Sequence, residues 1–451
     1  MGRLFGTDGI RGRANRHPMT PETAMAVGRA VATFFSDGGG PARVVIGRDT
    51  RISGDMLEHA MTAGILSAGG TALLADVLPT PGVAFLAADD GADAGIVLSA
   101  SHNPFYDNGI KIFDGKGFKL PDAVEDRLEA RILENAPVEN GSPDGGPEIG
   151  TAQRLEKADD RYIGFLKGRL PGVSDLKGMK VVLDCANGAT YRVAPRLFRE
   201  LGAEIFPLSV HPDGKNINDN CGSQHTDALV ETVREKGARV GLAFDGDGDR
   251  LIAADETGNV LSGDQILAIC ARRMKEKGTL RNNTVVSTVM SNIGLRLALK
   301  ELSIAHVMAG VGDRYVAEKM TETGAVIGGE DSGHMIFTHH HTTGDGILTA
   351  LMLLDAMIAA DRPLSEMRGI MSVFPQSLLN LEVTEKPDLR ALPGVGEEIR
   401  AVEEKLGEKG RVLVRYSGTQ PLCRVMVEGP TVEETEGYCR HLVGVIRNAI
   451  G

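Results

Sequence analysis

The sequence predicts an α/β fold: three similar α/β domains with mixed, mostly parallel sheets and a smaller C-terminal α+β domain, around a central cleft. Two observations indicate the three domains, since apolar strand-like segments alternate with helix-like ones and the same order occurs three times. The third observation is that this alternation stops near Pro375. A chain of 451 residues also exceeds what one hydrophobic core usually supports. We therefore expect domains over residues 1–155, 156–256, 257–372 and 373–451.

Each repeat begins with an apolar segment that predicts a buried strand. These opening strands are expected at Arg43–Ile46, Lys180–Leu183 and Thr284–Ser287. A helix-like stretch follows each strand, and in the first two repeats it ends at glycine, at Gly69–Gly70 and at Gly202. Glycine suits a helix end because it tolerates positive φ. Ser303 takes the corresponding place in the third repeat.

A later apolar strand in each repeat runs into a polar loop with chemically useful side chains. The three pairs of strand and loop are Gly95–Ala100 with Ser101–Pro104, Val240–Phe244 with Asp245–Arg250, and Ala325–Ile327 with Gly328–His334. In the second and third repeats a helix precedes that strand, over Asp227–Gly237 and Arg314–Gly324. Because helix-covered parallel sheets bind ligands at the carboxyl ends of their strands, we expect the three loops to face one cleft.

The C-terminal part follows a different pattern. Strands are expected at Leu378–Val383, Val412–Val414 and Arg424–Val427, with a helix over Gly396–Leu406 and another at the C-terminus. This mixture predicts a small α+β domain. The segment Glu134–Gly150 is rich in Pro, Gly, Asn and acidic residues without periodicity, so we expect an exposed connection there.

The composition is that of an ordinary globular protein, with 42% hydrophobic and 24% charged residues. A net charge of −12 argues against nonspecific binding to nucleic acid. The five cysteines form neither a zinc pattern nor a disulfide framework, and the N-terminus lacks the apolar core of a signal peptide. The apolar stretch Ile347–Ala360 is short and contains Asp355, which indicates a core helix and no membrane partner. We expect a cytoplasmic protein.

Three carboxylates at alternate positions predict a metal site. In an extended segment Asp245, Asp247 and Asp249 would point the same way, and such crowding is unfavourable without a cation. Hard oxygen ligands favour Mg²⁺. The alternatives are a solvated acidic turn or an EF-hand loop with Glu256 at the twelfth position. Against the EF-hand, Arg250 occupies the position that requires glycine, and the flanking segments predict strands.

Ser101 lies at a strand end, and Pro104 keeps the preceding residue out of helical geometry, so a sharp loop can expose the hydroxyl. A serine at such a place is also a common turn former. As a nucleophile it needs activation, for which His102, Lys111 and His334 are candidates.

Two arginines near the C-terminus predict an anion clamp. Arg415 and Arg424 can grip a phosphate bidentately, while Ser417, Gly418 and Thr419 add hydroxyl and backbone donors. An ordinary hairpin with surface arginines is the alternative. His339–His341 are expected in a polar turn, because neighbouring side chains do not share a face. No Walker loop or complete dinucleotide fingerprint occurs, so ATP and NAD are unsupported.

Taken together, the loops resemble those of the α-D-phosphohexomutase superfamily, in its order and along essentially the whole chain. The segments that carry the resemblance are Gly6–Gly12, Ser99–Pro104, Asp245–Arg250, Gly329–His334 and Arg415–Arg424. The resemblance implies a phosphoserine at Ser101, which is expected at the metal site with the three aspartates. It also implies acid–base roles for Lys111 and His334.

The same resemblance implies further site residues. Arg11 and Arg250 are expected at the reacting phosphate, and Glu330 and Ser332 at sugar hydroxyls. Arg415, Ser417, Gly418, Thr419 and Arg424 are expected to bind the other phosphate. Two residues depart from the usual pattern. Gln420 stands where the family's phosphate loop commonly carries Glu, and Asp331 stands in the sugar loop where the family's bacterial amino-sugar branch often has Gln.

Within the superfamily, the segments Asn216–Asn218, Cys221–Ser223 and Val311–Val316 resemble a bacterial branch that acts on amino sugars. This implies interconversion of glucosamine 6-phosphate and glucosamine 1-phosphate, with Mg²⁺ and glucosamine 1,6-bisphosphate as cofactors. Relatives acting on glucose or mannose phosphates, a phosphatase with an aspartate nucleophile and a non-catalytic sugar-phosphate-binding protein remain alternatives. An activating kinase and a second copy of the chain are the protein partners compatible with this interpretation.

Overall fold

The computed structural model describes residues 4–6, 8–36, 39–134, 149–169, 171–173, 175–416 and 421–450. The chain divides into two compact units. The larger unit comprises Met1–Met290 and Ala305–Gly369, and the smaller comprises Ser291–Ile304 and Ile370–Gly451. Most of the predicted connection between Glu134 and Gly150 lies outside the described residues.

The first sheet of the larger unit lies between helices of the first repeat. Its strands are β1 (Phe5–Gly6), β2 (Gly9–Arg13), β3 (Arg43–Arg48), β4 (Thr71–Val77), β5 (Ala94–Leu98), β6 (Asp107–Asp114) and β7 (Thr151–Arg154). Its helices are α1 (Pro21–Ser36), α2 (Ser53–Ser67), α3 (Thr80–Asp89) and α4 (Asp122–Glu134). The strands follow the order β1-β2-β6-β5-β3-β4-β7.

The second sheet follows the order β12-β11-β10-β8-β9, where the strands are β8 (Lys180–Asp184), β9 (Glu204–Leu208), β10 (Val240–Phe244), β11 (Leu251–Asp255) and β12 (Val260–Leu261). Its helices are α5 (Ala158–Arg169), α6 (Val193–Glu200) and α7 (Asp227–Lys236). Gly237 ends α7 in the left-handed conformation, as the glycine at this position predicted.

The third sheet follows the order β14-β13-β15-β16, with strands β13 (Thr284–Thr288), β14 (Ala305–Ala309), β15 (Ile327–Gly329) and β16 (Met335–Phe337). Its part of the chain contains helices α8 (Gly263–Glu276), α9 (Ile293–Glu301), α10 (Asp313–Thr323), α11 (Gly346–Ala360) and α12 (Leu364–Met367). Strand β15 begins later than predicted and includes Gly328. The small residue suits this place, because a Cβ there would lie 2.6 Å from Met320 Sδ on α10.

A common order of four strands underlies all three sheets. The strand that leads into the chemical loop (β5, β10 or β15) pairs in parallel with the opening strand, and the opening strand pairs in parallel with the next one. On its other side, the strand that leads into the loop pairs with the antiparallel strand that follows the loop. The predicted fold class of three similar α/β domains with mixed sheets is confirmed, while the exact domain boundaries stay a prediction.

The smaller unit contains the antiparallel sheet β17-β19-β18, formed by β17 (Gln376–Glu382), β18 (Arg411–Tyr416) and β19 (Leu422–Glu428). Helices α13 (Val395–Leu406) and α14 (Val432–Ile450) pack on it through fully buried Ile399, Val425 and Leu442. The strands and helices predicted here are confirmed. Helix α9 also belongs to this unit, where the Ile293 N–H donates to the Glu428 carboxylate.

Helix α11 is the apolar stretch that the sequence predicted as a core helix, and nearly all of its side chains are buried. In the described ranges, every helix is too short or too polar to span a bilayer. All five cysteines lie in these ranges, where they are buried and unpaired.

Candidate active site

Ser101 lies just beyond the end of β5 in a left-handed backbone conformation, with φ of +51°. Such a conformation is unfavourable for a residue with a Cβ, so the surrounding contacts must enforce it. The side chain is fully buried, and its hydroxyl donates to the Asp245 carboxylate, 144 residues later in the chain. The hydroxyl of the first repeat therefore meets the carboxylate cluster of the second.

The carboxylate cluster occupies the connection between β10 and β11. One oxygen of each of Asp245, Asp247 and Asp249 lies within 4.8 Å of the others. The three residues converge as predicted, but the predicted extended backbone is wrong. The segment is a turn, in which the Gly248 N–H donates to the Asp245 carbonyl and Gly248 takes φ of +74°. The turn brings the carboxylates together by reversing the chain, not by side-chain alternation along a strand.

Lys111, on β6, places its ammonium group beside the cluster. Its Nζ lies 2.8 Å from Asp247 Oδ2, 3.1 Å from Asp249 Oδ2 and 3.3 Å from Asp8 Oδ2. Burial by itself would lower the pKa of Lys111, but the three carboxylates hold it well above its usual range. Burial would likewise raise the pKa of Asp247, yet the Lys111 ammonium lowers it overall.

The pKa of Asp245 is shifted in the opposite direction to that of Asp247. Burial together with the Asp249 and Asp247 carboxylates raises it well above the usual range. The cluster is therefore short of positive charge even with Lys111 present. Oδ1 of Asp247 and Oδ1 of Asp249 are buried without a hydrogen-bond partner among the described residues. Carboxylate oxygens that lack a hydrogen bond in a buried set of hard ligands fit a divalent cation such as Mg²⁺.

A chain of charged groups connects Lys111 to His334. Asp8 contacts Lys111 and also accepts from Lys119, which in turn donates to the Asp313 carboxylate. Asp313 Oδ2 lies 3.5 Å from His334 Nε2, and Asp249 Oδ2 lies 4.0 Å from the same nitrogen. The two residues expected to handle protons are thus held by one ionic network that spans the first and third repeats.

Arg11, Arg250 and His102 surround the same cluster. The Arg11 guanidinium donates to the Asp8 carboxylate, and Arg250 Nε lies 3.7 Å from Asp249 Oδ1. His102 Nδ1 lies 3.5 Å from Ser101 Oγ. Burial and the nearby guanidiniums of Arg250 and Arg11 lower the pKa of His102 to about 4, so its ring is neutral at pH 7.

The loop from Glu330 to His334 packs directly against the carboxylate loop. The Leu251 N–H donates to the Gly333 carbonyl at 3.1 Å, and a Cβ on Gly333 would lie 2.2 Å from the Leu251 carbonyl oxygen. Glu330 Oε1 accepts from the Gly312 N–H at 3.2 Å. Ser332 Oγ is buried without a hydrogen-bond partner among the described residues, so it is available to a ligand. The Asp331 side chain is exposed.

The two arginines of the predicted anion clamp lie in the smaller unit. Arg415 on β18 pairs directly opposite Arg424 on β19, which brings two like charges together. Burial and the Arg424 charge lower the pKa of Arg415. Arg424 Nε is buried and has no hydrogen-bond partner among the described residues. Ser417, Gly418, Thr419 and Gln420 lie outside the described residues.

The EF-hand alternative from the sequence is not supported. Glu256 accepts from Ser365 N and Oγ, and β10 and β11 flank the aspartates where an EF-hand would need helices. Of the three histidines predicted in a polar turn, His339 and His340 lie in one, whereas His341 follows it. His341 is buried, and its Nε2 lies 2.9 Å from the Pro81 carbonyl oxygen, which is a structural contact.

Several charged residues of the site were missed by the sequence analysis, namely Asp8, Lys119 and Asp313. Asp8 and Asp313 fall within the quoted segments Gly6–Gly12 and Val311–Val316, so the motifs contained them without assigning them a task. Lys119 follows β6 in a segment with no distinguishing pattern.

Sequence models of one family match nearly the whole chain. The matches are to Phosphoglucomutase/phosphomannomutase alpha/beta/alpha domain I at residues 2–139, domain II at 160–258, domain III at 262–374 and the C-terminal domain at 378–444.

Full-length relatives carry a more specific name. A Syntrophus aciditrophicus protein named phosphoglucosamine mutase is 57% identical over 451 residues, with 100% of both chains covered. A Syntrophobacter fumaroxidans protein of the same name is 55% identical over 451 residues, again with 100% of both chains covered.

Solved structures have the same fold. A phosphoglucomutase/phosphomannomutase family protein from Burkholderia thailandensis aligns with a TM-score of 0.79 at 25% identity, over 99% of this chain and 96% of that one. An Aspergillus fumigatus N-acetylphosphoglucosamine mutase, solved with GlcNAc-6P and magnesium, aligns with a TM-score of 0.71 at 18% identity. The alignment covers 99% of this chain and 96% of that one. The chain is an enzyme of the phosphoglucomutase/phosphomannomutase family, within the α-D-phosphohexomutases that its loop motifs resembled.

Proposed function

We propose that this enzyme interconverts glucosamine 6-phosphate and glucosamine 1-phosphate, using Ser101 as a phosphoryl carrier and glucosamine 1,6-bisphosphate as the intermediate. The observation that carries the proposal is the Ser101 hydroxyl on Asp245, inside the buried carboxylate cluster. The choice of sugar rests on the relatives named phosphoglucosamine mutase, which are 57% and 55% identical along the full chain.

The reaction consists of two phosphoryl transfers in opposite directions. In the first, the Oγ–P bond of phosphorylated Ser101 breaks, a bond forms from phosphorus to sugar O1, and the O1 proton leaves. In the second, the O6–P bond of the bisphosphate breaks, a bond to Ser101 Oγ re-forms, and O6 takes up a proton. The protein ends in its starting state, and no electrons are exchanged.

The surrounding side chains have separate tasks in these steps. Lys111 adds a fixed positive charge at the cluster where the phosphoryl group is transferred, and Arg11 and Arg250 add two guanidiniums nearby. His334 Nε2 makes no hydrogen bond in the described part of the protein, so it can exchange a proton with a sugar hydroxyl. We assign Glu330 and Ser332 to the sugar hydroxyls, and Arg415, Ser417, Gly418, Thr419 and Arg424 to the phosphate that is not transferred.

Asp245, Asp247 and Asp249, with the phosphoryl group on Ser101, would hold Mg²⁺. The ion would supply positive charge against the negative charge of the transferring phosphoryl group. A cytoplasmic location, an activating kinase and a homodimer stay predictions.

Product analysis tests the proposed function directly. The purified protein, given glucosamine 6-phosphate, Mg²⁺ and a catalytic amount of the 1,6-bisphosphate, should form glucosamine 1-phosphate, detected by ³¹P NMR. Parallel reactions with glucose and mannose phosphates should give lower kcat/KM. Release of inorganic phosphate without the 1-phosphate would instead indicate a phosphatase. Binding without turnover would indicate a sugar-phosphate-binding protein, and a preference for glucose or mannose would indicate another branch of the family.

A methyl group at Gly344 should displace His334 and slow turnover. A Cβ at this position would lie 2.2 Å from His334 Nε2 and 2.4 Å from Cε1, so the imidazole ring has to move. We expect Gly344→Ala to lower kcat about tenfold to 100-fold, because small displacements of a reacting group are costly. The free energy of unfolding should fall by about 1–3 kcal/mol, since a side chain and not the backbone gives way.

Gly164→Ala is the control for this substitution. Gly164 lies within α5, and no heavy atom lies within 4 Å of the position that its Cβ would take. This variant should keep the parent's kcat and be at least as stable, because alanine favours helix. Equal kcat values for the two variants, measured with glucosamine 6-phosphate, would show that the position of His334 does not limit turnover.

A further inference from the structure

A fully buried arginine lies beneath the loop that carries Ser101. The Arg51 guanidinium donates to the carbonyl oxygens of Ser101 at 2.9 Å and Asn103 at 2.7 Å, and also to those of Pro104 and Asp107. Its charge is balanced by Asp49, at 2.8 Å. The loop carbonyls thus converge on one planar donor, which suits a fork of five N–H groups.

A hydroxyl holds the other side of the Ser101 peptide backbone. Ser99 donates to the Asp49 carboxylate, and the Ser99 oxygen accepts from the Ser101 N–H at 2.9 Å. Both backbone polar groups of Ser101 are therefore tied to the Asp49–Arg51 ion pair. These bonds account for the left-handed φ of +51°, which costs on the order of 1 kcal/mol or more and persists only when contacts enforce it.

Asn218 reaches the same carbonyls from the second repeat. Its Nδ2 donates to Ser101 O at 2.9 Å and to Asn103 O at 3.0 Å. Because both neighbours are acceptors, the amide NH₂ and not the amide oxygen must face them. The backbone of Asn218 is itself fixed, with its N–H donating to the Ala186 carbonyl at 2.9 Å and φ of +58°.

The carboxylate loop closes over this contact without spare room. A Cβ on Gly246, between Asp245 and Asp247, would lie 2.5 Å from Ser101 O and 2.8 Å from Asn218 Nδ2. The carrier serine, the carboxylate loop and the Asn218 amide therefore meet at one point. Arg51 belongs to the same repeat as Ser101, so it fixes the shape of the serine loop. Asn218 belongs to the repeat that carries Asp245, so it fixes where the serine loop lies against the carboxylates.

We propose that Asn218 is a positioning residue for phosphoryl transfer: its amide aligns the Ser101 loop with the carboxylate loop and has no part in substrate affinity. The inference rests on the proposed function and deepens it. It also gives a task to the segment Asn216–Asn218, which the sequence analysis singled out without assigning one. Asparagine suits the position on two grounds, since it tolerates left-handed backbone and offers two donors from a single amide.

The test substitutes Asn218→Gly and compares it with Asn220→Gly. Glycine keeps the left-handed backbone accessible and removes the side chain with its amide. Asn220 is the matched control, because it lies in the same loop with φ of +51° and is exposed. Among the described residues, its Nδ2 donates to Asp219 Oδ1 alone, at 3.1 Å. Each protein is phosphorylated with the 1,6-bisphosphate, and transfer to glucosamine 6-phosphate is followed in a single turnover alongside steady-state kcat and KM.

We expect Asn218→Gly to transfer its phosphoryl group about tenfold to 100-fold more slowly than the parent, with KM within about twofold. Asn220→Gly should match the parent in both. Equal transfer rates for the two variants would overturn the inference, as would a raised KM with unchanged kcat. A parent protein that transfers nothing to glucosamine 6-phosphate would refute the proposed function itself, and the role of Asn218 with it.

A second variant covers the case in which Asn218→Gly is too unstable to assay. Asn218→Asp keeps the shape and tolerates the same backbone, but it turns a carboxylate oxygen toward two carbonyl oxygens. Transfer should then be at least as slow as in the glycine variant, again with little change in KM. A parent-like transfer rate in Asn218→Asp would overturn the inference.

Discussion

Ser101→Ala should abolish turnover while leaving the fold intact. The hydroxyl is the only part removed, and without it no phosphoryl group can be carried, so we expect kcat to fall about 10⁴-fold or more. Stability should change by only about 1–3 kcal/mol, the value of one hydrogen bond to a carboxylate, here that of Asp245. Intact-mass analysis should show a phosphorylated fraction in the parent, lost on phosphatase treatment and regained with the 1,6-bisphosphate, and none in the variant.

Ser287→Ala is a matched control for this substitution. Ser287 is also fully buried in the larger unit, and its hydroxyl makes a hydrogen bond of 2.8 Å to His306 Nε2, in the third sheet. Its loss should cost comparable stability without affecting turnover. Substantial mutase activity in Ser101→Ala, with no phosphoprotein detectable, would disprove the carrier mechanism and return attention to an aspartate nucleophile.

Much of the fold could be predicted because its signals are local. The opening strands are apolar runs with β-branched residues, and glycine after α7 marks the end of that helix. Because the same order of strands and helices occurs three times, the pattern in each repeat also supported the assignment of strands and helices in the other two. Strand β15 begins later than predicted because Gly328 and Gly329 are poor strand formers, and close packing explains their presence. A Cβ on Gly328 would meet Met320 on α10, and a Cβ on Gly329 would meet the His334 carbonyl oxygen.

The site could be predicted only as far as short motifs reach. Ser101 and the three aspartates come together as expected. Each loop follows the carboxyl end of a strand, β5 in the first sheet and β10 in the second, where helix-covered sheets bind their ligands. The backbone that presents them was not predictable, since Ser101 in the left-handed region and the turn at Gly248 depend on contacts made elsewhere. The sequence analysis named the right three aspartates but assumed an extended backbone, whereas a turn brings their carboxylates together.

Residues that act through long-range contacts were beyond sequence reasoning. Arg51 and Asn218 hold the Ser101 carbonyl from positions 50 and 117 residues away. Lys119 joins Asp8 to Asp313 across 111 and 194 residues. Single charged or amide side chains are usually surface residues, and nothing in the local sequence distinguishes these from the many others.

Removing the metal should affect both turnover and stability. Thorough chelation should lower kcat at least about 100-fold, because the charge on the transferring phosphoryl group is then poorly compensated, and added Mg²⁺ should restore it. Mg²⁺ should also raise the melting temperature of the parent protein. Binding that favours the folded state is worth about 2.7 kcal/mol when free Mg²⁺ is 100 times its Kd. Full activity after chelation would refute the metal assignment.

Asp245→Asn separates two effects of the carboxylate on stability: the cost of its buried charge and the gain from binding Mg²⁺. Burial and the neighbouring Asp247 and Asp249 raise the pKa of Asp245, so its charge is unfavourable in the folded protein without a cation. The metal-free variant should therefore be at least as stable as the metal-free parent, yet gain little stability from Mg²⁺ and turn over very slowly. Asp255→Asn is the control: Asp255 is fully buried but accepts from Thr257 and Asn259, away from the cluster. That variant should keep the full Mg²⁺-dependent rise in melting temperature, and an equal rise in Asp245→Asn would show that Asp245 does not bind the metal.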